Sequence, residues 1–297
     1  MVSNHQSNQH YPVLLREVLQ YLAPEKGDKL LDVTAGYGGH AEAILNITGQ
    51  TEGSVLIDRD QNAISQLQKI FPKKSPEIIK GDFSKTSQEL LDKGRRFDLI
   101  LADLGVSSPH LDNANRGFSF QYEGPLDMRM DESVPLTADD IVNTYNEQDL
   151  SKIIRDYGED PKAKRIAHAI ANNRPIQKTT DLALIVERVY GGRIKHKTHP
   201  ATRTFQALRI AVNDELTQIK TALPVWMQLL NPGGRLAVIS FQSLEDRIVK
   251  QIFLEHGANQ YDASLNLLTK KPITGSQDEL VFNPRARSAK LRVAVKK

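Results

Sequence analysis

Asp32-Val-Thr-Ala-Gly36-Tyr-Gly38-Gly39-His40 lies where a short apolar run gives way to a helical pattern. Glycines let a backbone approach a ligand closely, and a helix N-terminus favours electron-rich groups. Asp58 ends the next apolar run, 22 residues after Gly36, where a carboxylate can accept hydrogen bonds from ribose hydroxyls. The segment therefore predicts a nucleotide-containing ligand at the first strand-to-helix turn of an α/β sheet.

The residues around this loop alternate apolar runs with helical patterns, which is typical of βαβ units in a parallel sheet. In the first third of the chain we predict strands at 29–34, 54–58, 77–80 and 97–104. The helices predicted between them include 41–46, 61–70 and 87–93.

The pattern changes after residue 104. Residues 107–135 are rich in Gly, Pro, Ser and Asp and predict a long ordered loop, a kind of segment that is usually functional. Three strand-free helical patterns follow, at 138–157, 161–173 and 181–190. Thr137 and Thr180 are predicted N-caps, and Pro161 suits a first helical turn.

The sheet pattern then resumes. We predict a helix at 204–230 bent at Pro224, a turn at 231–234, strands at 235–241, 265–270 and 290–296, and a helix at 244–255. The last strand is expected at an edge of the sheet. The simplest organisation is a sheet domain formed by 1–111 and 204–297, interrupted by a helical insertion at 112–203.

Composition narrows the class of protein. Hydrophobic residues make up 39% and charged residues 25% of the 297, as in an ordinary globular enzyme. The absence of cysteine excludes disulfides, thiolate metal sites and a cysteine nucleophile. His196 and His199 are close in sequence but have no acidic neighbour, so we expect no metal site.

The same composition gives no indication of secretion or membrane insertion. The polar start, Met1 to Gln9, lacks a signal peptide's apolar core, and no apolar run approaches the ~20 residues of a membrane span. We expect a cytoplasmic protein without membrane contact. The sequence leaves the oligomeric state open, a homodimer included.

Basic residues are clustered although the net charge is only +3. From Gly191 to Arg209 there are five Lys/Arg and two His without an acid, and from Pro284 onward six Lys/Arg without an acid. Such clusters are typical of nucleic-acid contacts. Solvated basic loops are the alternative.

Two cofactors compete for the glycine loop. Gly36, Gly38 and Ala41 also fit the spacing of a dinucleotide fold, with Asp58 as its acid. Asp32, however, precedes the glycines, and an acid there suits the cationic end of S-adenosylmethionine better than a pyrophosphate. Phe83, with the preceding acid, is a candidate to flank an adenine, with a core position as its alternative. A tight turn without a ligand is the third alternative for the loop.

Further motifs carry a resemblance to a known family. They are His10-Tyr-Pro-Val-Leu-Leu, the glycine loop, Asp103-Leu-Gly-Val-Ser-Ser-Pro109, Arg116-Gly-Phe-Ser-Phe120, Pro125-Leu-Asp-Met-Arg-Met-Asp131, Ala201-Thr-Arg-Thr-Phe-Gln-Ala-Leu-Arg-Ile210, Ser240-Phe-Gln-Ser-Leu-Glu-Asp-Arg247 and Asn283-Pro-Arg-Ala-Arg-Ser-Ala-Lys-Leu-Arg292. In this order, over nearly the whole length, the chain resembles the bacterial 16S ribosomal RNA cytosine-N4 methyltransferase family, also called the MraW family.

The resemblance implies a Rossmann-like class I methyltransferase sheet with an inserted all-helical domain for substrate recognition. It implies S-adenosyl-L-methionine as cofactor and, as substrate, a cytidine of the decoding region of 16S rRNA in the small ribosomal subunit. The implied cofactor contacts are Gly38, Gly39, His40, Asp58, Phe83 and Asp103, beside Gly36 in the same loop. His110 is a further cofactor contact by position, although the family usually has glutamine there.

Other departures from the family are Gln242, which replaces a usual histidine, and the loop residues Ala35 and Tyr37. Gln242 weakens the case for an essential histidine base at that motif.

The chemistry requires an acceptor for an N–H of the cytosine amine, because its lone pair is delocalised into the ring. We predict Asp103, or the neighbouring backbone, for this role; Asp127 is the other candidate, and binding of the cofactor alone is the alternative for Asp103. Predicted RNA contacts come from the loop and the basic clusters: Arg116, Phe118, Phe120, Arg129, Arg203, Arg209, Arg285 and Arg287.

Three rival classes stay open: a DNA amino-methyltransferase, an NAD-dependent oxidoreductase and an RNA-binding protein with an inactive site. The segment Asp103-Leu-Gly-Val106 differs from the proline-rich loop usual in DNA enzymes, and an inactive site would be expected to lose the glycines or Asp58.

Overall fold

The computed structural model describes residues 11–73, 75–105, 112–192, 198–257 and 263–297. The chain forms two compact units, a sheet unit of Met1–Gly105 with Leu216–Lys297 and a helical unit of Val106–Glu215. The predicted boundaries at 111/112 and 203/204 differ from these. The helix Thr202–Asn213, expected in the sheet domain, belongs to the helical unit because Phe205, Leu208 and Val212 pack into its core.

A mixed sheet organises the first unit. In the described part of the chain it has seven strands in the order β3-β2-β1-β4-β5-β7-β6. Their bounds are β1 Leu30–Asp32, β2 Val55–Asp58, β3 Glu77–Lys80, β4 Phe97–Asp103, β5 Leu230–Ser240, β6 Leu265–Leu267 and β7 Lys290–Lys296. The first five strands pair in parallel, as predicted from the alternating pattern.

Two predictions about the last strands are wrong. β7 lies between β5 and β6 with antiparallel pairing on both sides, so it is not an edge strand. β5 begins at Leu230 rather than after the turn predicted at 231–234. Leu230 pairs with Phe97 and Arg235 with Leu99, so the extra residues, including Gly233 at φ 82°, form an irregularity within the strand.

Helices cover the sheet unit. They are α1 Leu15–Leu22, α2 Gly39–Thr48, α3 Gln61–Ile70, α4 Phe83–Asp92, α10 Glu215–Leu229, α11 Ser243–Gly257 and α12 Gln277–Phe282. Asp60 and Asp82 cap α3 and α4, each accepting backbone N–H bonds of the first turn. The α/β fold class predicted from the sequence is confirmed.

The helical unit consists of α5 Ala138–Thr144, α6 Glu147–Gly158, α7 Ala163–Asn172, α8 Thr179–Tyr190 and α9 Thr202–Asn213. Thr137 caps α5 as predicted, in a reciprocal capping box with Asp140. The predicted cap Thr180 and the helix start at Pro161 are each displaced by one or two residues. The predicted helix 204–230 is broken at Asp214, whose φ is 50°, and α10 continues through Pro224, where a bend was predicted.

Asn213 anchors a loop of the helical unit. Its Oδ1 accepts from the Met130 amide at 2.8 Å, and its Nδ2 donates to the Met128 carbonyl at 2.8 Å. Met128 lies in the left-handed region at φ 62° and is fully buried. The family motif 125–131 is therefore a rigid element of the unit rather than a free surface loop.

Trp226 lies at the centre of the sheet unit's core. It is fully buried, and its indole Nε1 donates to Ser87 Oγ at 2.9 Å. A buried indole N–H without a partner would be destabilising. The hydrogen bond to Ser87 of α4 therefore allows Trp226 of α10 to be buried against that helix.

We therefore expect Ser87→Ala to lower the free energy of unfolding of the sheet unit by about 1–3 kcal/mol, the cost of an unpaired buried donor. In a Trp226→Phe background the same change should cost much less, since no donor remains. Urea unfolding followed by far-ultraviolet circular dichroism measures this double-mutant cycle. Equal costs in both backgrounds would contradict the assigned hydrogen bond.

Candidate active site

Three neighbouring strands of the sheet unit end in aspartate at the same edge. β1 ends at Asp32, β2 at Asp58 and β4 at Asp103. Asp32 pairs with Leu56 on one side and Leu101 on the other, so both neighbouring strands continue two residues beyond it. The carboxyl edge thus forms a crevice above β1, the place where open α/β sheets bind their ligands.

The glycine loop starts within this crevice. The amides of Val33 and Ala35 donate to carbonyls of β4 and β2 at 3.0 and 2.9 Å. The Asp103 amide donates to Thr34 Oγ1 at 2.6 Å, which ties the loop to β4. Sequence reasoning missed Thr34, although its place directly between Asp32 and the glycines was a usable signal.

Asp58 shapes the loop. Its Oδ2 accepts from the Gly36 amide at 2.8 Å and its Oδ1 from the Asp60 amide at 2.8 Å. Gly36 and Gly38 adopt left-handed φ values of 52° and 85°, and a Cβ on Gly38 would lie 3.0 Å from Ile70 Cδ1. Asp58 therefore orients the glycines, a role additional to the ribose contact expected of it.

The first described residues cover the next part of the loop. A Cβ on Gly39 would lie 2.5 Å from Pro12 Cγ, so only glycine fits beneath this proline. The Val13 carbonyl accepts from Nε2 of His40 at 2.9 Å, and His40 is 6% exposed. These contacts explain why the motif at 10–15 accompanies the glycine loop in the sequence.

His40 also faces the end of β4. Because Nε2 donates to a carbonyl, the neutral ring presents the lone pair of Nδ1, which lies 3.7 Å from Asp103 Oδ2. The structure therefore brings together His40 and Asp103, two residues that the sequence analysis singled out separately.

The carboxylates at this edge are electrostatically unfavourable. The pKa of Asp32 is raised to about 7, mainly by burial and further by repulsion from Asp58, while the hydrogen bond from the Thr34 amide lowers it in part. Burial also raises the pKa of Asp103 well above its usual value, with added repulsion from Asp32 and Glu245. Within the described ranges, the buried Asp103 Oδ1 has no hydrogen-bond partner. Such a site favours a cationic ligand.

The motif at 240–247, which begins at the end of β5, is held together by hydrogen bonds to Glu245. Glu245 is fully buried and accepts from the amides of Phe241 and Gln242, at 2.9 and 3.2 Å, and from Gln242 Nε2 at 2.9 Å. Gln242, which stands where the family usually has histidine, is thus a partner of Glu245 and not a proton carrier. Sequence reasoning missed Glu245.

Phe83 lies in the core of the sheet unit. It is 9% exposed, its ring centroid is 5.5 Å from that of Trp226, and the Arg59 guanidinium lies 5.6 Å from it. Arg59 also bonds to Asp82 at 3.3 Å and to Gln218. The expected stacking face for an adenine is therefore mostly covered, and the alternative of a core aromatic fits Phe83 better.

Several residues predicted to meet RNA have structural roles in the helical unit instead. Arg116 is 8% exposed and donates to the carbonyls of Arg129 and Met130 at 2.8 and 3.1 Å. Phe118 is 7% exposed within the core, and Phe120 packs against Phe205. These positions correct the predicted stacking and phosphate contacts, because their side chains are already used inside the unit.

Asp127, the second candidate acceptor, is engaged by Arg129. Arg129 Nε donates to Oδ1 at 3.0 Å and Nη2 to Oδ2 at 2.8 Å. Burial raises the pKa of Asp127, but the hydrogen bonds and charge of Arg129 outweigh it, so the pKa lies below the usual value. We therefore assign both residues to the loop's own structure, which corrects the roles predicted for them.

The remaining predicted RNA contacts fall into two groups, one structural residue and three that stay candidates. Arg209 forms a two-pronged ion pair with Glu215 at 2.7 and 2.8 Å and is therefore structural. Arg203 is exposed and donates to the Glu159 carbonyl at 3.1 Å. In the turn after α12, Arg285 is half-buried and Arg287 is exposed. Arg203, Arg285 and Arg287 thus stay candidates.

Two predicted residues, His110 and His196, lie outside the described residues. Among the residues that the structure does describe, no group of three or more His, Cys, Asp and Glu side chains could hold a metal ion. The same residues contain no helix long and apolar enough to span a membrane.

Comparisons with known proteins show which family the chain belongs to. A family model described as the MraW methylase family matches residues 7–297. A ribosomal RNA small subunit methyltransferase H from Acidobacterium capsulatum is 44% identical over 97% of this chain and 98% of its own length. The protein of the same name from Synechocystis is 45% identical over 97% of this chain and 93% of its own.

Among solved structures, an rRNA methylase from Streptococcus thermophilus aligns with 95% of this chain and 93% of its own at 9% identity and a TM-score of 0.41, which is too low to indicate function. The family model and the relatives are sufficient to assign the chain to a family. Together with the glycine loop and the acidic strand ends, they establish that the chain belongs to the MraW methylase family.

Proposed function

We propose that this chain uses S-adenosyl-L-methionine to methylate the exocyclic N4 amine of a cytidine in the decoding region of 16S rRNA, in the small ribosomal subunit. The observation that carries the proposal is the edge formed by Asp32, Asp58 and Asp103. At this edge the pKa values of Asp32 and Asp103 are raised, and among the described residues Asp103 Oδ1 has no hydrogen-bond partner. The names of the relatives, ribosomal RNA small subunit methyltransferase H, support the substrate class.

The residues present fit the cofactor. Asp32 is 1% exposed and carries a pKa of about 7, so an adjacent positive charge would stabilise its ionised form. Gly36 and Gly38 adopt the left-handed backbone that the turn of this loop requires. S-Adenosylmethionine, when bound, supplies a methyl group on a positively charged sulfur. Asp32, Asp58 and the glycines hold it at the crevice.

Asp103 is the residue that we assign to the amine. Its buried Oδ1 accepts no hydrogen bond from the described residues, and the side chain as a whole is 27% exposed. By accepting an N–H bond, Asp103 would localise the lone pair of the amine on nitrogen. Its raised pKa also suits it to hold the proton that the amine gives up.

Access to the amine requires an unpaired base, since N4 lies on the pairing edge of cytosine. The helical unit, with Arg203 exposed on α9, is our candidate for substrate recognition. Orientation of the base beside Asp103 contributes most to the rate of methyl transfer, because correct orientation of the reactants lowers an activation barrier by ~7–11 kcal/mol.

The substrate is tested with purified protein, tritiated cofactor and separate small and large ribosomal subunits. We expect label only in 16S rRNA, and mass spectrometry of its nucleosides should show N4-methylcytidine. Label in the large subunit, or on a base other than cytosine, would contradict the proposal.

Cofactor affinity should depend on pH through Asp32. A cation lowers the pKa of a neighbouring carboxyl, so binding releases a proton and strengthens as pH rises toward and above 7. With a starting pKa of about 7, lowering the pH from 7 to 6 should weaken binding about 5-fold. Calorimetry in buffers of different ionisation enthalpy measures both affinity and released protons.

Asp32→Asn should bind more weakly at pH 8 and lose this pH dependence. Asp92→Asn, which changes an exposed carboxylate at the end of α4, is the matched control and should retain it. A pH profile that Asp32→Asn leaves unchanged would show that another group titrates.

Asp103→Asn tests the acceptor. The amide keeps the size and one acceptor oxygen but cannot take a proton, so we expect turnover to fall by roughly 10²–10⁴-fold, the usual contribution of a general base. Single-turnover methylation of small subunits at saturating cofactor measures the rate. Near-normal turnover combined with weak cofactor binding would restrict Asp103 to the cofactor.

A further inference from the structure

An apolar surface outside the crevice is formed by Tyr11, Val281 and Phe282, which are 49%, 83% and 60% exposed. The rings of Tyr11 and Phe282 meet edge to face, with centroids 5.3 Å apart and planes at 87°. Large apolar groups that remain exposed and adjacent usually mark an interaction site. We refer to these three residues as the aromatic face.

The aromatic face is held in place by buried polar contacts. The Leu14 amide donates to Glu279 Oε1 at 2.8 Å, and Asn283 Nδ2 donates to the Tyr11 carbonyl at 3.3 Å. Glu279 is 6% exposed and Asn283 is 8% exposed. Segment 11–14 is therefore clamped to α12 at both of its ends, and a ligand would not have to order it.

The charge beside the face is positive. The turn Pro284–Arg287 follows Phe282 after one residue and contains two arginines and no acid. Arg287 is exposed and Arg285 half-buried. Of the acids on α12, Glu279 is turned inward to Leu14, and Asp278 lies in the first turn of the helix. Aromatic rings next to guanidinium groups match the bases and phosphates of single-stranded RNA.

The face is also close to the crevice along the chain. Val13, whose carbonyl binds His40, is two residues from Tyr11, so their Cα atoms are at most ~7.6 Å apart. His40 in turn lies 3.7 Å from Asp103. Short contacts through Val13 and His40 therefore link the aromatic face to Asp103.

We propose that the aromatic face stacks an unpaired base of the RNA substrate next to the target nucleotide, while Arg285 and Arg287 bind its phosphates. The proposal rests on the proposed RNA methylation and adds a contact surface to it. Stacking requires a planar π system, whereas apolar docking of a protein requires only apolar area. This difference separates the two kinds of partner.

The test replaces Phe282 by Ala, Leu and Trp and measures binding of a labelled single-stranded RNA of mixed sequence. Phe282→Ala and Phe282→Leu should both weaken binding about 5- to 150-fold, the loss expected for one stacked base. Phe282→Trp should retain the wild-type affinity. The fully paired duplex of the same RNA should bind more weakly and respond little to these changes.

Leu254→Ala is the matched control, since Leu254 is an apolar residue of α11 with 46% exposure. It should leave RNA affinity unchanged. Arg287→Gln should reduce the slope of log affinity against log salt by about one unit. Thermal melts of all variants show whether a loss of RNA affinity arises from unfolding. If Phe282→Ala is unfolded, the conclusion is drawn from Phe282→Leu, which is the milder replacement.

Unchanged RNA affinity in Phe282→Ala overturns the proposal. The proposal is also overturned if Phe282→Ala loses RNA affinity while Phe282→Leu binds as tightly as the wild type. If sedimentation shows that Phe282→Ala abolishes self-association while RNA affinity stays the same, the face binds a second copy instead. Methylation of 16S rRNA by the wild-type protein is measured separately, so a failure of the proposed reaction is distinguished from a failure of this surface.

Discussion

The functional edge of the sheet depends on the length of β1, the middle one of the three strands that form this edge. β1 ends at Asp32, two residues short of the positions reached by β2 and β4 on either side. The chain leaving β1 therefore passes between two strands that still offer carbonyls, and Val33 and Ala35 use them. This constraint places Asp32, Asp58 and Asp103 around one crevice. Burial, with repulsion from neighbouring carboxylates, raises the pKa values of Asp32 and Asp103, so the fold itself produces a site that a cation stabilises.

The close packing of this edge explains several sequence requirements at once. Asp58 must accept from the Gly36 amide, which needs a left-handed turn, and Gly39 must pass beneath Pro12. The N-terminal segment is thereby part of the site, since it binds His40 through Val13. The same segment is clamped to α12 through Glu279. Distant parts of the chain are thus linked to the glycine loop by contacts that tolerate few substitutions.

The sequence predicted well what depends on local pattern. The strands Glu77–Lys80 and Lys290–Lys296, the helix Gln61–Ile70 and the N-cap at Thr137 were all found where expected. It predicted poorly what depends on packing between distant residues. The position of β7 inside the sheet and the burial of Phe83 against Trp226 are such cases. The helix break at Asp214 was missed because Pro224 is the stronger local signal; an ion pair between Arg209 and Glu215 spans the break.

The arginines show why charge along a sequence overstates a nucleic-acid surface. Arg116, Arg129 and Arg209 each bond to carbonyls or carboxylates within the helical unit, so their charges hold its loops together. Arg292 likewise pairs with Asp246 at 2.7 Å. The partners of Arg116 are backbone carbonyls, which no sequence pattern reveals. With these cations used internally, electrostatic attraction alone provides less affinity for RNA than the clusters suggest. Recognition then has to depend more on base stacking and on the shape of the single strand, interactions that aromatic side chains supply.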